Sequence, residues 1–181
     1  MRIKKIAAVC KARCMARLMD YTDSDGAVHQ WICTGHSAYP VEGLPFLTEE
    51  HMATVLDLGE KQLKNMVISH DAAPESLDFR DVADNETQMR EEAFSVVYGG
   101  KVYLPYTVRG ETQFVDFELL TPIVTEYKDV ELWQREMPGG GRYFAAKAGL
   151  LCVGIILPTG NMDKLAEALE SVGAGYRNDN A

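Results

Sequence analysis

The chain has 181 residues, of which 46% are apolar and 25% are charged, as in a typical soluble globular protein. This composition excludes a largely disordered chain, and the longest apolar run, residues 150–157, is about half of what a membrane-spanning helix needs. The net charge of −9 disfavours nucleic-acid binding driven by phosphate contacts as the main role.

The positive charge is concentrated at the start of the chain. Residues 1–17 contain six of the eighteen basic residues and no acidic residue. We interpret them as a solvated basic face that offsets the acidic remainder of the chain. The six residues are Arg2, Lys4, Lys5, Lys11, Arg13 and Arg17.

The same segment does not fit a secretory signal. Its apolar stretch, residues 6–10, is shorter than the roughly 7–15 residues of a signal-peptide core, and Lys11 follows at once. Four cysteines are too few for a disulfide scaffold, so we expect reduced thiols at Cys10, Cys14, Cys33 and Cys152. Both features predict a cytoplasmic protein.

The first structural element is ambiguous. Ile3, Ala7 and Cys10 have helical spacing, whereas residues 12–21 also fit a strand. The turn-forming sequence Asp-Ser-Asp-Gly at 23–26 favours a β-hairpin of about residues 12–20 and 27–34.

Two short helices and an acidic stretch follow. Thr48 is a suitable N-cap for a helix that ends at Gly59, and a second helical stretch is expected over residues 60–66. Residues 71–92 hold eight acidic residues and few large apolar ones, which predicts a linker or loop.

The second half alternates between apolar and polar residues. It predicts a hairpin of 94–98 and 101–108 around Gly99 and Gly100, and then a meander that ends in a helix. Pro105 marks 101–108 as a protected edge strand. The remaining predicted elements are strands 112–120, 130–135, 142–147 and 150–157 and a helix at 161–172.

These elements predict an α+β protein with mainly antiparallel sheet, built from hairpins and a meander with two or three short helices. The predicted organisation is an N-terminal α/β subregion (1–70), an acidic linker or loop (71–92), and a β-meander with a C-terminal helix (93–181). These parts form either one compact domain or two small ones.

The cysteines offer a weak candidate metal site. Cys10 and Cys14 are separated by three residues, as are His29 and Cys33, and zinc takes four sulfur or imidazole ligands. Cys10 and Cys14 would come together only on a helix, because on a strand they lie about 13 Å apart. Structural thiols and a surface histidine explain the pattern more simply, so we predict no metal and no cofactor.

Other possible sites are also sparse. Cys33 and His36 supply the residue types of a nucleophile and its base, without a recognised signature around them. The glycine-rich loop before Arg142 lies between strands and lacks the Gly-Lys-Ser/Thr of a phosphate-binding loop. Asp20, Asp23 and Asp25 faintly resemble a calcium loop but lack its closing glutamate.

Residues 31–50 read Trp-Ile-Cys-Thr-Gly-His-Ser-Ala-Tyr-Pro-Val-Glu-Gly-Leu-Pro-Phe-Leu-Thr-Glu-Glu. This stretch resembles small uncharacterised proteins of bacterial prophages and related mobile elements, a resemblance that implies no known activity. Separately, the order of strand pair, short helix and meander is similar to that of half a DNA sliding clamp.

The leading hypothesis is a non-enzymatic cytoplasmic binding module for a protein partner or a second copy of itself. Its basis is an acidic chain with sheet edges and with aromatic residues spread over the predicted strands. The alternatives are a clamp-like accessory of DNA replication and a small-molecule enzyme that uses Cys33, His36 or Arg142.

Overall fold

The computed structural model describes residues 2–159, and the helix predicted at 161–172 lies outside this range. Four α-helices and twelve β-strands form within the described residues. All strand pairs are antiparallel except one. The prediction of an α+β fold with mainly antiparallel sheet is therefore confirmed.

The elements follow in chain order, helices first. The helices are α1 (Arg2–Arg13), α2 (Glu49–Val55), α3 (Glu60–Leu63) and α4 (Phe117–Val124). The strands are β1 (Met15–Thr22), β2 (Val28–Cys33), β3 (Ser37–Pro40), β4 (Val67–Ala72), β5 (Thr87–Gln88), β6 (Arg90–Glu91), β7 (Val96–Tyr98), β8 (Lys101–Val108), β9 (Glu111–Asp116), β10 (Val130–Glu136), β11 (Arg142–Ala148) and β12 (Leu151–Ile156).

Eight strands form one sheet, in the order β4-β1-β2-β3-β12-β11-β10-β5. β1 and β2 form the predicted hairpin, in which Thr22 pairs with Val28, and β4 runs parallel to β1 on its other side. β3 pairs with β12, which joins the strands of the first 40 residues to those after residue 130. The segments predicted as 1–70 and 93–181 thus contribute to the same sheet.

The smaller sheet corrects the prediction for Pro105. β8 is its central strand, paired with β9 on one side and with β6 and β7 on the other, and is therefore not a protected edge. The Pro105 carbonyl accepts a hydrogen bond from the amide of Glu92, which lies between β6 and β7. The nitrogen of Pro105 points to the same side as its carbonyl and therefore faces the gap between these two strands. A proline is tolerated there because no ladder partner needs its donor.

Two segments for which the sequence suggested a strand form helices in the structure. The ambiguous first segment is the helix α1, which ends at Arg13, just before Cys14, a residue with a φ of 52°. The strand predicted for 112–120 is wrong beyond Asp116, whose carboxylate accepts the amide of Glu118 and caps α4. Leu119 and Ile123 lie one turn apart on α4, and both are buried. The apolar residues after Asp116 therefore form one face of a helix and not one face of a strand.

The large sheet carries a hydrophobic core on each face. α1, α4 and the smaller sheet cover one face, where Ile6, Leu120 and Val115 are buried with Phe144. The opposite face has a smaller core, which includes Phe79 from the acidic stretch. Residues 73–86 have no helix or strand but lie across this second face.

Candidate functional site

An open groove of about 620 Å³, here called the aromatic groove, lies on the second face of the large sheet. Its floor contains Trp31 from β2 and Phe79, whose rings pack edge to face with centroids 4.9 Å apart. Tyr21 from β1 extends this cluster, with its ring centroid 5.5 Å from that of Phe79. The cluster forms because alternate residues of β1 and β2 point to this face.

Large apolar side chains stand exposed around the groove. Phe46 and Leu44 lie on the loop between β3 and α2, Val28 begins β2, and Leu151 begins β12. Phe46 is 58% exposed, Leu151 57% and Val28 46%. An apolar rim over an aromatic floor is the kind of surface that contacts a partner in soluble proteins.

The loop that carries Phe46 is fixed at its base by one buried side chain. The Leu47 amide donates to Oε1 of Gln30 at 2.6 Å, and Nε2 of Gln30 donates to the Leu47 carbonyl at 3.0 Å. Gln30 also donates to Asp20, so its position is set from two sides. Because Leu47 is buried and bonded in this way, the apolar residues just before it are held outward.

The charged side chains that line the groove are mainly carboxylates. Asp23, Glu42 and Asp81 line the groove together with one arginine, Arg80. Hydrogen bonds from His29 and from the backbone of the turn hold the pKa of Asp23 below its usual range. Arg80 is paired with Asp78 at 2.7 Å, which neutralises part of its charge.

Residues 78–86, here called the covering segment, contribute Phe79, Arg80 and Asp81 to the groove. Arg135 of β10 holds this segment against the sheet. The Arg135 guanidinium is fully buried and donates to the carbonyl oxygens of Asp78, Arg80 and Asp81. It also donates twice to the Glu86 carboxylate, at 2.6 and 2.9 Å. One side chain therefore satisfies the backbone of an irregular segment.

Lys147 completes this buried ionic cluster. Its ammonium donates to Glu86 at 2.6 Å and lies 4.8 Å from the centroid of the Trp133 ring. Burial acts to raise the pKa of Glu86, but the hydrogen bonds from Lys147 and Arg135 outweigh it and hold that pKa below the ordinary value of 4.5.

Acidification is expected to lower the free energy of unfolding through Glu86. Because its folded-state pKa is depressed, its contribution is complete above about pH 4.5 and is lost as the pH falls through the folded-state value. Urea titrations at a series of pH values should show that the free energy of unfolding falls more steeply with decreasing pH in the parent chain than in Glu86→Gln. Asp84→Asn, at an exposed carboxylate nearby, is the control and should keep the parent slope. Equal slopes for the parent and Glu86→Gln would contradict this prediction.

The structure does not bring the four predicted zinc ligands together. Cys10 lies in the helix-covered core and Cys33 packs against the core of the other face. Cys14 is exposed, and Nε2 of His29 lies 2.8 Å from Asp23 in the turn. Burial raises the pKa of Cys10 to about 12, which disfavours the thiolate that zinc requires. Within residues 2–159, no cluster of three or more His, Cys, Asp or Glu side chains has metal-binding geometry.

The purified protein is expected to contain no stoichiometric zinc, because two of the four proposed ligands lie in separate cores. Elemental analysis of protein prepared without chelators measures this directly. About one zinc per chain that disappears in Cys14→Ala would contradict the prediction.

The pairing of Cys33 with His36 also lacks the geometry of a nucleophile and base. The Cys33 sulfur accepts the amide of Gly35 at 3.4 Å, and burial raises the pKa of its thiol. His36 is exposed and lies at a different cavity, with Arg13 and Asp116. Neither residue lines the aromatic groove.

The remaining sequence candidates have structural roles. Arg142 pairs with Glu111 of β9 beside a hairpin tip whose Gly139 and Gly140 have positive φ. Asp23 accepts the amides of Asp25 and Ala27, as expected of a turn rather than a calcium loop.

Most of the basic N-terminal residues bind other parts of the chain. Arg2 contacts Glu42 and Tyr127, and Arg13 contacts Asp116. Arg17 pairs with Asp71, and Lys11 donates to a backbone carbonyl. The arginines of the basic segment therefore form ion pairs with acidic residues elsewhere in the chain.

Sequence reasoning missed the groove and the buried ionic cluster. Phe79 is the one aromatic residue within 71–92, which could have indicated that this stretch packs against the sheet. Arg135 and Lys147 gave no such signal, since charged residues in a strand normally mark its solvent-facing side.

Within residues 2–159, none of the helices is long and apolar enough to cross a membrane. Comparison with family models, curated proteins and solved structures finds no match for this chain.

Proposed function

We propose that this protein is a non-enzymatic, cytoplasmic binding module that docks a protein partner in the aromatic groove. The supporting observation is the combination of a packed aromatic floor and a rim of exposed Phe46, Leu151 and Val28. Apolar and aromatic anchors set into a pocket dominate the binding energy of protein interfaces. The partner therefore inserts an apolar side chain between the rim residues.

The charges around the groove favour a basic partner segment. Asp23, Glu42 and Asp81 outnumber Arg80, and an acidic excess remains when Arg2, which pairs with Glu42, and Asp78, which pairs with Arg80, are also counted. The whole chain has a net charge of −9. Lys or Arg residues that flank the inserted side chain would meet these carboxylates and speed association. An acidic flank would meet like charge and bind more weakly.

The other hypotheses receive less support from the contacts. An enzyme based on Cys33 needs a reactive thiolate, whereas burial raises the pKa of this thiol. A sliding-clamp role needs basic side chains free to face DNA, whereas Arg2, Arg13 and Arg17 are paired with acidic residues.

Fluorescence of a single tryptophan can test the docking site. Trp133→Phe leaves Trp31 as the reporter in the groove floor, since the chain has two tryptophans. The probes are two synthetic peptides with one central leucine and phenylalanine, flanked either by lysines or by glutamates. We expect the lysine-flanked peptide to change Trp31 emission saturably and to bind at least about tenfold more tightly, which corresponds to about 1.4 kcal/mol.

Phe46→Ala is expected to weaken this binding by about tenfold or more, because Phe46 forms the most exposed part of the rim. Phe94→Ala is the matched control, since Phe94 is also a half-exposed phenylalanine but lies outside the groove. Equal affinities of the two variants, or no response of Trp31 to either peptide, would overturn the proposal.

A further inference from the structure

The end strand of the large sheet has an open edge. Within residues 2–159, β4 pairs only with β1. The amides of Val67 and Ala73 donate to carbonyl oxygens of Cys14 and Asp20 beside β1. Because N–H and C=O groups alternate sides along a strand, those of Ile68, His70 and Ala72 point away from β1.

β4 lacks most of the features that usually protect such an edge. Between Val67 and Ala72 it contains no proline, no lysine and no bulge. Val67 is 54% exposed at the start of the strand. Unpaired N–H and C=O groups at such an edge can form hydrogen bonds with the backbone of another extended strand.

The spacing of the outward groups is compatible with a two-fold axis. They belong to three alternate residues centred on His70. In an antiparallel arrangement, His70 lies opposite His70 of a second copy, and Ile68 lies opposite Ala72. Each outward N–H and C=O then has a partner, which is the self-complementarity that an isologous interface requires.

The charges that flank β4 also fit a second copy. Lys61 and Lys64 precede the strand with one acid, Glu60, whereas Glu75 follows its other end. The antiparallel arrangement brings the lysine end of one copy beside the acidic end of the other.

The charged side chains on β4 itself do not oppose this approach. Nε2 of His70 lies 2.8 Å from the carboxylate of Asp20 in its own chain. The carboxylate of Asp71 is paired with Arg17 of its own chain at 3.2 Å. Two β4 strands can therefore approach each other without bringing two unpaired carboxylates together.

We propose that the protein forms a two-fold dimer in which two β4 strands pair antiparallel and join both large sheets into one. This interface is separate from the aromatic groove, whose lining includes no residue of β4. The dimer therefore leaves the groove open and presents two copies of it.

Hydrogen exchange of individual amides tests the pairing directly. In the dimer, all amides from Ile68 to Ala72 are protected. In a monomer, only those bonded to β1, such as Ser69 and Asp71, are slow. Sedimentation over a range of protein concentrations should show reversible dimerisation together with protection of the outward amides. A strict monomer, or a dimer with fast exchange at Ile68, His70 and Ala72, would overturn the proposal.

Charge reversal supplies a test that leaves the fold intact, because Lys64 and Glu75 are exposed. Lys64→Glu and Glu75→Lys should each weaken dimerisation several-fold, and the double variant should restore it, since the opposed ends are then complementary again. Lys128→Glu, an exposed charge reversal outside β4, should leave the dimer unchanged. Failure of the double variant to recover the affinity would contradict the antiparallel pairing.

Discussion

Replacement of Arg135 by methionine is expected to lower the free energy of unfolding by about 3–5 kcal/mol. The guanidinium is fully buried and donates to three carbonyl oxygens and to Glu86. Methionine fills much of the volume but leaves the three carbonyl oxygens without this donor, and it leaves Glu86 with Lys147 as its remaining partner in a largely buried site. Denaturant titration at neutral pH measures the loss.

The control for this variant is Arg142→Met, which removes an exposed ion pair with Glu111 and should cost no more than about 1 kcal/mol. Arg135→Met should also expose the covering segment to proteolysis, because this side chain makes three of the hydrogen bonds that tie its backbone to the sheet, and Tyr143 makes a further one. A loss below about 1 kcal/mol would mean that the segment is held mainly by its apolar contacts.

Truncation of Ile155 to alanine is expected to cost about 2–5 kcal/mol. Ile155 lies on β12, near the middle of the large sheet, and packs in the core with Trp31, Phe79 and Tyr143. The cavity left by the removed methyl groups cannot collapse easily, because rigid aromatic rings form the surrounding core.

Leu150→Ala is the matched control, since Leu150 precedes the same strand but is largely exposed. It should change stability by no more than about 0.5 kcal/mol. A loss below about 1 kcal/mol for Ile155→Ala would contradict the assignment of β12 to the centre of the core.

The two hairpins could be predicted because short-range patterns determine them. Turn residues 23–26 and Gly99-Gly100 indicated the two hairpins, and both glycines of the second have positive φ in the structure. The long-range order of the strands could not be predicted. Neither β3 nor β12 carries a signal for its partner, because side-chain alternation specifies a face but not a neighbour.

The candidate site was harder to predict for a related reason. The composition of 71–92 indicated a loop, and most of this stretch is irregular. It is held to the sheet by hydrogen bonds from Arg135, which lies on a strand far along the chain, and by the packing of Phe79 in the second core. Local hydrophobicity cannot reveal a segment that is fixed by hydrogen bonds to its backbone.

The pairing of β3 with β12 has a consequence for how the protein is made. Ser37 pairs with Ile156, so β3 has an unfilled edge on the growing chain until nearly all of the described residues have left the ribosome. During that interval β1, β2 and β3 present an apolar surface that α1 covers only in part, because α4 and the smaller sheet are synthesised later. Long-range pairing of this kind slows folding, so synthesis rate and chaperone capacity should govern how much active protein a cell recovers.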